Sequence, residues 1–315
     1  GLRAAAEYSR AQRGLSMVVM HEGRVIFEDY PSPRVAETGF ELASGTKSFN
    51  GVIAAAAVQD GLLSLDERVG ETLEGWRTDP AKREVTIRQL LSLTSGLRSW
   101  SSAGNMPTYD EAAAQPLTWR PGERFSYGAQ PFQVFGAIMT RKLGGREDAV
   151  DYLQRRILHP IGSDYEWWRT SSDDKPHLPS GARFTARRWA LFGEFVRLGG
   201  TWNGRTLVDP AALEANFVGT TANPAYGLTW WLNAEISQAD RARVPQLRRA
   251  TDVSRDDPTI PRDLVFAAGA GKQRLYVSRS EKLVVVRQAS GINEAMARGE
   301  AGGFSDGALW RALRG

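Results

Sequence analysis

"ELASGTK", residues 41–47, sets Ser44 three positions ahead of Lys47 and leads into the alanine-rich run "FNGVIAAAAVQDG" from Phe49. The apolar residues of that run cover nearly the whole surface rather than a stripe, which predicts a buried helix terminated at Gly61. If the helix begins near Ser44, Lys47 returns to the same face one turn later. Two readings follow from that spacing. In one, Ser44 or Thr46 caps the helix and Lys47 reaches solvent. In the other, Lys47 is the base that removes the proton of a hydroxyl too weak to attack unaided. An ordinary lysine, with a pKa of about 10.4, is neutral in only about 4 molecules in ten thousand at pH 7. Burial and the positive end of a helix would both lower that pKa.

Working outward, Leu15 to Met20 and Val25 to Phe27 flank "HEGR" and predict a hairpin, preceded by an Ala/Arg-rich helix. The loop "YPSPRVAETG" then delivers the chain to Ser44. The middle of the sequence is helical in character. "TIRQLLSLTSG", Gln133 to Leu143, Asp148 to Leu158 and a helix from Ala186 capped by Thr185 and ended by Gly199 and Gly200 all show helical spacing. Strand character returns at Leu228 to Leu232, Leu275 to Val277 and "KLVVVRQ". Between them, residues 233–262 form a charged insertion, either a binding lid or a surface excursion. The expected plan is an α/β protein with a sheet region from residues 1–75 and 205–315, a mainly helical region at 76–204, and the site at their interface.

Composition narrows the chemistry. The 315 residues include no cysteine, which removes disulfides, thiolate metal sites and a cysteine nucleophile. Three histidines, His21, His159 and His177, make a histidine-rich metal centre a poor expectation. The 40 basic and 36 acidic residues are interspersed, whereas a nucleic-acid-binding chain concentrates its positive charge. No apolar run approaches the roughly 20 residues needed to span a bilayer, and "GLRAAAEYSRAQRG" lacks the apolar core of a signal peptide. The composition is that of a soluble protein and leaves periplasmic, secreted and cytoplasmic addresses open.

About eighty residues beyond Ser44 comes "PGERFSYGAQPFQVFGAIM", where Pro121-Gly122 marks a turn and Tyr127 lies in the loop before the next apolar helix. By itself Tyr127 could be a buried aromatic that ties the loop down. The ordered set is more specific: Ser44-Gly-Thr-Lys47, "QDGLLSLDERV", "TIRQLLSLTSGL", "PGERFSYG", "YGLTWW" and "AAGAGKQRLYVSRSEKLVVVR". With these landmarks the chain resembles the serine β-lactamase and penicillin-binding-protein superfamily, in its class C-like esterase, amidase and carboxypeptidase branch. The resemblance runs nearly the full length. It implies a β-lactamase/transpeptidase-like fold, an antiparallel sheet flanked by helices with an inserted helical region, and acyl transfer without a metal or organic cofactor. Ser44 would be the nucleophile, and Lys47 and Tyr127 would share the proton traffic.

The chain departs from the family pattern twice. Tyr127-Gly-Ala129 stands where asparagine usually ends the motif, so the side-chain contact it makes with substrate or lysine is missing. In Gly269-Ala-Gly-Lys-Gln273, Ala270 occupies the expected place of a lysine or histidine, and Lys272 could restore the charge or project away. By the resemblance, Ser44 supplies one oxyanion N–H and Gln273 is assigned the other, while Gly269 and Gly271 let the strand approach substrate. Trp100, Trp230 and Trp231 are aromatic candidates for the substrate pocket, although strand alternation allows at most one of the last two to face it. Arg248, Arg249 and Arg255 could meet a carboxylate or simply be solvated. The expected substrate is a small ester or amide. A D-stereospecific peptidase, a weak β-lactamase and a non-catalytic binding protein are the alternatives, and the sequence says nothing about oligomeric partners.

Overall fold

The two β-rich ends of the sequence meet in one sheet. The computed structural model describes residues 1–98, 106–244, 251–298 and 303–315. Its strands β1 (Gly14–His21), β2 (Arg24–Asp29), β3 (Trp231–Leu232), β4 (Val265–Gly269), β5 (Gln273–Ser278) and β6 (Leu283–Ala289) lie in the order β2-β1-β6-β5-β4-β3. Every neighbouring pair is antiparallel. The expected hairpin joins β1 to β2 through Glu22 and Gly23, both at positive φ, the backbone twist that a two-residue hairpin turn requires.

Alternation along the strands divides the sheet into two faces. On one, Arg274, Tyr276 and Arg287 meet the helices α1 (Leu2–Ala11) and α5 (Asp306–Arg314) through bonds to Ser9 and Asp306. On the other, Leu275 and Val284 meet α4 (Ala186–Arg197) so closely that a Cβ on Gly193 would fall 2.6 and 2.7 Å from their side chains. Thr185 accepts a bond from the Arg188 N–H and Gly199 and Gly200 turn the chain out at positive φ, so α4 begins and ends as its sequence predicts.

The helix after Ser44 is α2 (Lys47–Gln59), and its residues from Lys47 to Ala57 are all buried. The inserted helical region holds α3 (Gln130–Lys142), with shorter helices at Ile87–Leu91, Tyr109–Ala114 and Ala149–Leu153. "TIRQLLSLTSG" yields a shorter helix than its leucine spacing suggests, because Leu93 takes a left-handed φ of 60° and turns the chain. Part of the 233–262 insertion is ordered as the helix Gln238–Arg243, capped by Ser237. Among the described residues, no helix is long and apolar enough to cross a membrane.

Candidate active site

Ser44 sits in a tight 3-10 turn, Ala43–Thr46, that runs directly into α2. The chain enters this turn through Ala43 at a φ of 46°, a left-handed conformation that costs a residue with a Cβ roughly 1–3 kcal/mol. The end of β4 lies directly against the turn. A Cβ on Gly269 would stand 2.0 Å from the Leu42 carbonyl oxygen and 3.0 Å from the Gly45 nitrogen, so glycine is what admits the strand. Beyond Gly269, Gly271 and Lys272 both have positive φ and carry the chain around to Gln273, which pairs back with Gly269.

Lys47, the first residue of α2, is only 4% exposed. Its Nζ donates to Ser44 Oγ at 2.9 Å and to the Pro179 carbonyl at 3.2 Å, and lies 4.8 Å from the centre of the Tyr127 ring. Burial alone brings its pKa down to about 7. Tyr127 packs in an aromatic cluster with Phe125, Tyr226 and Trp231. Burial pushes its phenol up to about 12, an effect offset in part by hydrogen bonding to the Ser44 side chain, by the Arg274 charge and by bonding to Trp231. At neutral pH Tyr127 is therefore a protonated phenol next to a lysine amine whose pKa is brought close to neutrality.

The other residues singled out from sequence fall into distinct places. Ala129 is buried at the start of α3 and offers no side-chain polar atom. Ala270 is partly exposed on the turn after Gly269. Gln273 is fully buried, and its side-chain amide both donates to and accepts from the backbone of Ala289. The assignment of Gln273 to the oxyanion concerns its backbone N–H, on the strand end that pairs with Gly269, and not this side chain. Lys272 is 8% exposed and within electrostatic reach of Arg274, Asp306, Asp252 and Arg287; burial is the main cause of a pKa brought down to about 8. Trp230 is fully buried between Phe192 of α4 and Phe217, whereas its neighbour Trp231 is the indole that faces Tyr127. Trp100, Arg248 and Arg249 lie outside the described residues. Arg255 bonds the Asn233 and Arg262 carbonyls.

His21 and His159 are surface residues, while His177 is buried, its imidazole brought down to about 4 by burial and by Arg169. Among the described residues, no group of His, Cys, Asp and Glu side chains is arranged to hold a metal ion. Sequence reasoning missed the Pro179 carbonyl, a backbone group that no residue type announces. It also missed Asn50, for which a signal existed: an amide inside an otherwise apolar buried helix requires partners.

The serine turn, the buried lysine one turn on and the tyrosine across from them keep the order of the sequence landmarks, and residues 2–298 match the Beta-lactamase family. The chain belongs to the β-lactamase family. Lovastatin esterase from Penicillium rubens is 25% identical to it over 182 residues, 48% of this chain and 45% of that protein. The chain thus spans less than half the length of the curated relatives it matches. A penicillin-binding protein homolog from Caulobacter crescentus is similar with a TM-score of 0.71 at 16% identity, covering 99% of this β-lactamase-family chain and 95% of the other. A family VIII carboxylesterase is similar with a TM-score of 0.73 at 14% identity, covering 99% and 96%. At those identities the likeness is one of fold alone.

Proposed function

We propose that this chain is a serine-dependent acyl hydrolase of small carboxylic esters, with Ser44 as nucleophile, Lys47 as base and Tyr127 as proton relay. The observation that carries the reading is the buried Lys47 amine 2.9 Å from Ser44 Oγ. With a pKa of about 7, roughly half of that amine is neutral at pH 7, about a thousandfold more than for an ordinary lysine. As Ser44 Oγ bonds to the ester carbonyl carbon, its proton passes to Lys47. The oxyanion is met by the backbone N–H of Ser44 and by a second N–H from the strand end between Gly269 and Gln273, where Gly269 packs against the serine turn. Collapse breaks the bond to the alkoxide, which takes a proton from Tyr127, and Lys47 returns one to the phenol. Water then attacks the acyl-serine, gives up its proton to the same pair and releases the carboxylic acid with Ser44 restored.

Esters are favoured over amides and β-lactams by what Ala129 and Ala270 lack. Neither offers a side-chain donor to bind an amide or a substrate carboxylate, and an alkoxide leaves with less assistance than an amine. The test mixes the protein with a short-chain p-nitrophenyl ester and follows the early time course with intact-mass analysis beside Ser44→Ala. The expected result is a burst with an acyl mass adduct, both absent in the variant. Turnover that persists in Ser44→Ala refutes Ser44 as the nucleophile, and no turnover or serine-dependent adduct across a series of esters overturns the reading in favour of a binding protein on the same fold.

A further inference from the structure

The segment 176–182 has no regular structure of its own beyond its last residues, yet side chains fix its backbone almost residue by residue. Tyr109 donates to the Pro176 carbonyl at 3.0 Å and the Trp168 indole donates to the His177 carbonyl at 2.9 Å. At Leu178 both backbone groups are taken. Its N–H donates to Gln133 Oε1 at 3.2 Å, and its carbonyl accepts from Asn50 Nδ2 at 2.9 Å. The next carbonyl, that of Pro179, accepts from Lys47. Further on, the Ala182 N–H donates to Thr46 Oγ1 at 3.2 Å.

Asn50, Gln133 and Leu178 are all fully buried. Asn50 stands one turn after Lys47 on α2, and its Nδ2 also donates to the Lys47 carbonyl at 3.0 Å. Gln133 lies on α3, one turn after Ala129, and its Nε2 is anchored to the Pro107 carbonyl at 2.8 Å. Two helices thus grip one residue of the loop from opposite sides. The ring of Pro179 removes further freedom from the peptide that follows.

We propose that Asn50 and Gln133 act as a clamp on Leu178 that holds the Pro179 carbonyl, and through it the Lys47 amine, in the orientation needed to take the Ser44 proton. This rests on the acyl-hydrolase reading above. A neutral amine has two N–H bonds and one lone pair. When one N–H is fixed on the Pro179 carbonyl, rotation about the last side-chain bond is arrested and the lone pair can be turned to the Ser44 hydroxyl. Without that acceptor the amine swings, and a base displaced by about 1 Å can cost about a hundredfold in rate. Asn50 and Gln133 are positioning residues, because neither touches the reacting atoms. Among the described residues the groups recorded at the amine are Ser44, the rings of Tyr127 and Phe132 and the Pro179 carbonyl, and no carboxylate contributes to its titration.

The test uses the full chain, with Asn50→Leu and Gln133→Met as clamp variants and Tyr109→Phe as the control that removes a more distant pin from the same loop. Two quantities are measured: the pre-steady-state acylation rate with a p-nitrophenyl ester against pH, and the titration midpoint of Lys47 by NMR of 13C-lysine-labelled protein, assigned with Lys47→Met. In the clamp variants the acylation rate is expected to fall about a hundredfold. The Lys47 midpoint should also move lower, since the ammonium loses an acceptor. Tyr109→Phe should lower thermal stability and leave both quantities unchanged. Folded clamp variants that retain the wild-type rate and midpoint overturn the proposal, as does an equal loss in Tyr109→Phe. If Asn50→Leu does not fold, Gln133→Met decides by the same criteria. A midpoint that responds to the clamp in a protein with no Ser44-dependent acylation refutes the hydrolase reading and leaves the clamp standing.

Discussion

Replacing Lys47 by methionine should make the protein more stable at low pH while removing acylation. The fall of the amine's pKa from an ordinary 10.5 to about 7 is the energetic trace of burying an ammonium. At about 1.4 kcal/mol per pH unit it corresponds to roughly 5 kcal/mol, and with Lys47 only 4% exposed solvent screening removes little of it. Below about pH 7 both folded and unfolded chains carry the proton and the penalty is paid in full. Between pH 7 and 10.5 the unfolded chain holds a proton that the folded one has released, so wild-type stability rises with pH. Methionine keeps the volume but orphans the buried Pro179 carbonyl, which gives back about 2 kcal/mol. The net expectation is that Lys47→Met is more stable by about 3 kcal/mol at pH 6, with the advantage lost or reversed by about pH 10. Urea denaturation of both proteins across that range measures the difference, and the titration of every other group cancels in the comparison. A stability difference that is flat from pH 6 to 10 would refute the claim that the buried amine carries this penalty.

The neighbouring tryptophans should separate stability from chemistry. Trp230→Ala should cost about 3–5 kcal/mol in denaturant while the folded fraction acylates normally, and Trp231→Ala should slow acylation by removing the indole beside Tyr127. Asp306→Ala removes the buried carboxylate that Arg274 bonds at 2.6 Å and that Tyr276 shares, and should cost about 3–5 kcal/mol by urea denaturation. The Asp306 carboxyl is held well below its ordinary range by these partners in spite of its burial. Its contribution is therefore present at neutral pH and lost as the solution becomes strongly acidic.

What the sequence made legible was local or ordered. Ser44 and Lys47 are three residues apart, so helical geometry alone brings them together, and the apolar run after them announces the burial that lowers the lysine's pKa. The hairpin at Glu22-Gly23 and the cap of α4 at Thr185 were equally readable, because each depends on a few adjacent residues. Trp230 and Trp231 were not, since β3 has only two residues and alternation says that they differ without saying which faces the tyrosine. The turn that buries the Gln273 side chain was not legible either, because no residue type announces Lys272 at a positive φ after Gly271. The partners of Leu178 are 128 and 45 residues away in sequence, and one bonding group at each contact is plain backbone. No residue-type pattern encodes such a pair.

The sheet order also sets a schedule for folding. Strand β1 at residues 14–21 finds its inner neighbour in β6 at residues 283–289, so that pairing must wait until the residues of β6 have left the ribosome. Contacts between such distant segments form slowly and only after a large loss of chain freedom. A nascent chain that ends near residue 260 already contains the serine, lysine and tyrosine, yet it lacks Gly269 and the strand end against which the serine turn is seated. The serine turn is translated early and seated late, so its final geometry waits on strands that lie more than two hundred residues further along the sequence.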